Sequence, residues 1–117
     1  MVGNVSTATE IPHPLPAPLV ELIAERFRVL GEPMRIRLLD ALREAPATVQ
    51  ELQRATGASQ QSVSKHLGLL LRSGLVSRSK EGNFSLYAVA DEGVFELCEQ
   101  VCGGLRRRLD ELDAVLP

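Results

Sequence analysis

The stretch Ala55 to Val76, ATGASQQSVSKHLGLLLRSGLV, decides the fold. Thr56-Gly57 is a turn signal that also suits the end of a helix. Ser59 stands where a following helix needs an N-cap, its hydroxyl accepting from an orphan N–H of the first turn. From there Val63, Leu67 and Leu70 recur at i, i+4 and i+7, one apolar stripe of a helix. The opposite face carries Gln61, Ser62, Lys65 and Gly68, flanked by Gln60, Ser64 and His66, and none of these is acidic. Ser73-Gly74 stops the helix and Leu75-Val76 opens an extended run. An apolar back with an amide, hydroxyl and basic front suits insertion in a DNA major groove. There amides pair with adenine edges, Lys with guanine or phosphate, and hydroxyls with either. The alternative is an ordinary amphipathic helix with a solvated face.

Charge distribution bears on that choice. The chain of 117 residues carries a net charge of −2, which taken alone argues against a nucleic-acid partner. Yet Leu52 to Lys80 contains no Asp or Glu, while Arg54, Lys65, Arg72, Arg78 and Lys80 all fall within it. Phosphate binding depends on the local field, so a basic module on an acidic body is consistent with DNA binding. A chance gap in the acids is the competing explanation.

Upstream, Thr48 suits the N-cap of a short helix, Val49 to Ala55, and Glu51 at N3 completes a capping box. Short helix, tight turn with Gly and longer polar-faced helix form the helix-turn-helix pattern. Pro33 suits the first turn of a helix from Pro33 to Glu44, burying Ile36, Leu38, Leu39 and Leu42, and Ala45-Pro46-Ala47 breaks it. Leu19 to Leu30 is an amphipathic helix with Leu19, Leu22, Ile23, Phe27 and Leu30 as its stripe. Before it, residues 1–18 hold Pro12, Pro14, Pro16 and Pro18, which disfavour helix and suggest a flexible, extended arm. His13 lies in it, and a lone histidine in a tail is more often inert than a ligand.

Downstream, Val76, Arg78 and Lys80 alternate with Ser77 and Ser79, and Phe84, Leu86 and Ala88 with Ser85, Tyr87 and Val89. Gly82-Asn83 between them supplies a tight turn. This reads as a hairpin with a basic strand, either a wing that lies along the duplex or a plain edge hairpin. Asp91 caps a last helix running to about Leu116, with Val94, Cys98, Val101, Leu105, Leu109, Leu112 and Leu116 as its stripe. Gly103-Gly104 interrupts it at about 1 kcal/mol per glycine, implying a bend or a close helix approach. One small monomer cannot cover the stripes of both the first and last helices, so a second copy is expected over them. A two-fold pair would set two recognition helices about 34 Å apart, one DNA turn.

Other classes find little support. No apolar run spans a bilayer and no basic-then-apolar leader opens the chain. Two cysteines without a secretion signal suggest a reduced, cytoplasmic protein. No Ser/His/Asp grouping, phosphate loop or carboxylate pair points to an enzyme.

The segments LGEPMRIRLLDALRE and ELQRATGASQQSVSKHLGLLLRSGLV, then a short wing with R-x-x-x-G and a Tyr-x-Val ending, resemble the ArsR/SmtB family of bacterial winged-helix repressors. The resemblance covers roughly Leu19 to Leu116, and its most specific string is Ser59 to Leu67. It implies an α+β, mainly α winged helix-turn-helix in the order ααααββα, residues 19–117, pairing as a homodimer through its first and last helices. It also implies an autoregulated repressor on a palindromic double-stranded operator, released by an inducer, with no membrane partner. By position, Gln60, Gln61, Ser62, Ser64, Lys65 and His66 match the family's DNA-contacting helix, and Arg78 and the Gly82 region its wing. Arg54, Arg72, Arg78 and Lys80 are expected mainly on phosphate.

The sensor positions depart from the best-known members. Val49-Gln50-Glu51-Leu52 stands where a C-x-C site would lie, and the last helix has no His for a zinc-type site. What remains is Cys98-Glu-Gln-Val-Cys102. A spacing of four sets both sulfurs on one helical face, about 6 Å apart at Cα. Such a pair suits a soft, thiophilic inducer, trivalent arsenic or antimony, As(III)/Sb(III), with a third ligand from outside the chain. Two readings compete. The thiols could sense oxidation or reactive sulfur, although i, i+4 geometry is poor for a disulfide and Glu96 and Glu99 oppose thiolate formation. Or they are small core residues, Cys98 lying squarely on the apolar stripe. A winged helix that binds protein and no DNA is the rival of another class.

Overall fold

The computed structural model describes residues 10–116. Five helices and one hairpin follow in order: α1 Ala17–Leu30, α2 Pro33–Ala41, α3 Val49–Thr56, α4 Gln60–Arg72, β1 Val76–Glu81, β2 Phe84–Val89 and α5 Gly93–Val115. The fold is an α+β winged helix-turn-helix with the expected order ααααββα.

Local chemistry explains most boundaries. α1 begins at Ala17, two residues before the expected start, because Pro18 falls in its first turn, where a missing N–H costs nothing. Of the expected arm, residues 1–9 lie outside the described ones. α2 ends at Ala41 rather than Glu44, since Leu42 N–H already bonds in tight i→i−3 fashion to Leu39 O as well as to Leu38 O. The capping box of α3 is present: Thr48 Oγ1 accepts from Glu51 N, and Thr48 N donates to Glu51 Oε1 at 2.9 Å. Ser59 caps α4, accepting from Ser62 N at 3.1 Å.

The recognition helix is bracketed by two glycines in the left-handed region, Gly57 at φ 76 and Gly74 at φ 75. A Cβ at either would strain a backbone that L-residues rarely adopt.

The core sits where α2, α3 and α4 converge over the root of the hairpin. Leu38, Leu52, Val63, Leu67, Leu70 and Leu75 are its fully buried side chains. Truncating one of these to Ala costs about 2–5 kcal/mol, which would remove much of a small domain's stability. Ile36, expected inside, is 46% exposed, because α2 turns its Leu38, Leu39, Leu42 edge to the core and Ile36 to the outside.

β1 and β2 pair antiparallel, from Val76 opposite Val89 to Glu81 opposite Phe84. Gly82, at φ 60, takes the positive-φ position of the two-residue turn. The sequence shows no third strand, yet Ala47 pairs with Tyr87 through Ala47 N to Tyr87 O at 2.9 Å and Tyr87 N to Ala47 O at 2.8 Å. This bridge laces the α2–α3 connection to the wing root.

α5 runs unbroken from Gly93 to Val115, so Gly103-Gly104 lies within the helix without interrupting it. Asp91 Oδ1 accepts from Gly93 N at 3.0 Å at its start. Beyond its first turns it stands clear of the body. Val101, Leu105, Leu109 and Leu112 are exposed, as are Leu22 and Phe27 of α1, whose one buried residue is Val29. The radius of gyration, 17.9 Å, exceeds the roughly 13 Å of a compact chain of about 100 residues. Within one copy these two stripes have no cover. Among the described residues, no helix is long and apolar enough to cross a membrane.

Candidate nucleic-acid interface

α3, the turn at Gly57 and α4 form the helix-turn-helix. The buried back of α4, Val63, Leu67 and Leu70, fixes its rotation about its own axis. Gln60, Gln61, Ser64 and Lys65 consequently stand exposed on the front, and Ser62 is half-buried beside its cap. Arg54 near the end of α3, Arg72 in the last turn of α4, and Arg78 and Lys80 on β1 are also exposed. Among the described residues, none of these five Lys and Arg side chains forms an ion pair. The exposed side chains of α4 and its flanking elements thus offer amides, hydroxyls and cations free of ion pairs. Base edges accept the first two, and phosphates attract the last. Of the acids flanking this stretch, Glu51 is held by Thr48 and Glu81 ends β1.

His66 departs from its expected place on the contacting face. Its side chain is only 12% exposed. Its Nδ1 lies 3.2 Å from Arg35 Nη1 and its Nε2 4.0 Å from Glu32 Oε1. The ring sits on the inner flank of α4 against the α1–α2 junction, because the 100° step from Lys65 carries it away from the front. Neither partner stood out in sequence. Glu is not a favoured N-cap, yet Glu32 caps α2, accepting from Met34 N at 2.6 Å and Arg35 N at 3.3 Å. Its Pro33 was the available signal. Partial burial would raise the Glu32 carboxyl, but these two N–H bonds, helped by the nearby Arg35 charge, outweigh it and hold it below its ordinary value. Glu51 is held low by the backbone N–H and hydroxyl of Thr48, opposed by desolvation and helped by Arg54.

The cysteines are free thiols, Cys98 half-buried and Cys102 exposed, on the face of α5 that the body leaves uncovered. Among the described residues, no group of three or more His, Cys, Asp or Glu is placed to hold a metal ion. Two soft donors without imidazole or a carboxylate cage fit a thiophilic centre in part, one ligand short of a sulfur pyramid.

An exposed polar reading helix, an apolar seat for it and a basic hairpin beside it define a winged helix-turn-helix DNA-binding domain. A sequence profile described as a helix-turn-helix domain matches residues 30–78. The chain is 37% identical to the HTH-type transcriptional regulator Rv0081 of Mycobacterium tuberculosis over 100 residues, 85% of this chain and 88% of that protein. The crystal structure of Rv0081 superposes with a TM-score of 0.73 over 82% of this chain and 97% of that one, at 35% identity. The homodimeric winged helix-turn-helix domain of Mb0332 from Mycobacterium bovis, a possible ArsR-family regulator, gives a TM-score of 0.71 at 28% identity, covering 81% and 88% of the two chains. A probable mercury resistance operon repressor of Streptomyces lividans is 34% identical over 83% of this chain and 74% of its own length. The chain belongs to the ArsR/SmtB family of helix-turn-helix transcriptional regulators, a family of DNA-binding proteins and not of enzymes.

Proposed function

We propose that this chain is a homodimeric, cytoplasmic repressor that binds a palindromic operator in its own promoter and leaves it when a thiophilic inducer engages Cys98 and Cys102. The domain that reads DNA and pairs begins at α1, Ala17. The observation that carries the DNA reading is the orientation of α4, whose apolar side is fully buried and whose acid-free front is open. Gln60, Gln61, Ser62, Ser64 and Lys65 address the major groove; Arg54, Arg72, Arg78 and Lys80 address phosphate. His66 is withdrawn from that list. Pairing rests on the uncovered stripes of α1 and α5, continuous apolar surfaces that a second copy would bury. Homodimerisation of the Mb0332 domain supports this.

The inducer assignment rests on the thiols. Cys98 and Cys102 share one face of the pairing helix, so a soft ion bound there would sit at the edge of the subunit contact and shift how the two reading helices are spaced. The mercury resistance named for the Streptomyces relative fits the same donor chemistry. The test is a salt-dependent gel shift on the chain's own promoter, then titration of the complex with arsenite, antimonite and mercuric ion. Release is expected from the wild type and not from Cys98→Ser/Cys102→Ser. Equal release from both proteins excludes the thiols as the sensor, and no shift at all excludes operator binding.

A further inference from the structure

We infer that Arg35 and His66 form a positioning pair that sets the angle of the reading helix against the first helix, so that operator recognition depends on a histidine that touches no DNA. The inference rests on the DNA-binding reading above and adds a residue role to it. Its starting point is the bonding of the Arg35 guanidinium. Nε donates to Val29 O at 2.6 Å, Nη2 to Arg28 O at 3.4 Å, and Nη1 reaches His66 Nδ1 at 3.2 Å. Arg28 and Val29 lie in the last turn of α1; Arg28 O also accepts from Gly31 N, while Val29 O has no helical donor because residue 33 is proline. One planar, three-nitrogen group therefore closes the end of α1 and grips α4 at the same time. Lysine, with a single nitrogen, could not do both.

The chemistry fixes the tautomer. Guanidinium N–H groups only donate, so Nδ1 of His66 must accept and the proton resides on Nε2, the atom facing Glu32 Oε1. Glu32 caps α2 and Arg35 stands one turn into the same helix, so the junction presents a cation and an anion to the two sides of one imidazole. α2 packs on α4, and its Arg35 ties the end of α1 to that pairing. α1 also carries one of the uncovered stripes through which two copies pair. Hence Arg35, standing on α2, bridges an element that carries a pairing stripe to the element that reads the duplex. In a symmetric dimer, a small rotation of α4 at each subunit changes the span between two reading helices twice over. Loss of the bond should therefore penalise a site of fixed half-site spacing more than arbitrary duplex.

The variants His66→Ala, His66→Asn, Arg35→Ala and the Arg35→Ala/His66→Ala double test this by titration of labelled operator and of a scrambled duplex of equal length. His66→Ala and Arg35→Ala are expected to lose about tenfold on the operator, the scale of one hydrogen bond to a charged group, with scrambled-duplex affinity and salt slope unchanged. His66→Asn, whose Oδ1 occupies the acceptor position of Nδ1, should recover most of the loss. The double variant should be no weaker than either single one. Nitrogen shifts of the free wild type should report Nε2–H, with that preference lost in Arg35→Ala. Equal losses on both duplexes, strictly additive losses, or His66→Asn as weak as His66→Ala would each overturn the role. A wild type with the expected tautomer that bound no duplex would overturn the DNA reading, and the role with it.

Discussion

The guanidinium of Arg43, just past α2, lies over the ring of Phe95 in α5, 5.0 Å from its centroid. Its Nη2 also donates to Glu99 at 3.2 Å, one residue beyond Cys98. Arg26 reaches Asp91 at 3.5 Å before the same helix. These polar ties hold the first turns of α5 to the body, while the rest of the helix extends free.

Arg43→Ala should therefore loosen the base of α5. Both charges of the Glu99 pair are well exposed, so the ion pair adds little, and the stacking contributes about 0.5–1 kcal/mol. Thermal denaturation should show a fall of that size, with Arg43→Lys recovering part of it. An unchanged melting temperature would remove the contact from the stabilising set.

Lys65→Ala should weaken operator binding and lower the slope of log affinity against log salt by about one, since the lost groove contact also removes a cation from the duplex. Affinity titrations at several salt concentrations check this, and an unchanged affinity would remove Lys65 from the contacting set.

Replacing Leu105 and Leu109 together by Glu should yield a folded monomer, because both are exposed within one copy and nothing in the core depends on them. Sedimentation would report the change of mass. Operator affinity should drop at least about 100-fold, since each half-site would then be bound alone. A dimer that survives would show that another surface pairs.

The capping carboxylates give a pH signature. Glu32 and Glu51 are both held below the ordinary carboxylate value of 4.5 in the folded protein. A depressed folded value means the stabilisation is fully present above the unfolded value and lost as pH falls through the folded one. Glu51→Gln should thus melt below the wild type at neutral pH, and the two curves should converge as pH drops below about 4.5. A gap independent of pH would mean that the carboxylate charge plays no part.

What the sequence revealed was mostly local. The caps at Thr48 and Ser59, the stripe of Val63, Leu67 and Leu70, and the turn at Gly82 all lie within one or two helical turns of their partners, so residue spacing carried them. The basic window around Lys65 was legible for the same reason. His66 was misplaced because its neighbours Glu32 and Arg35 are brought to it only by the packing of α2 on α4. The strand-like pairing of Ala47 with Tyr87 escaped notice because Pro46 reads as a breaker and the partner is far along the chain. Ile36 looked buried because apolar identity says nothing about which edge of a short helix meets the core. The stripes of α1 and α5 were visible as periodicity, while their exposure in one copy needed coordinates.

The two left-handed glycines at positions 57 and 74 make residues 58–73 a self-contained cartridge. Both joints are set by backbone handedness, and the seat beneath is filled chiefly by Val63, Leu67 and Leu70, with Ala58 and Leu71 beside them and His66 held on the flank by Arg35. The outward side chains at positions 60, 61, 64 and 65 can then be rewritten to address a different duplex while body, pairing helices and thiols stay as they are, provided neither glycine is exchanged.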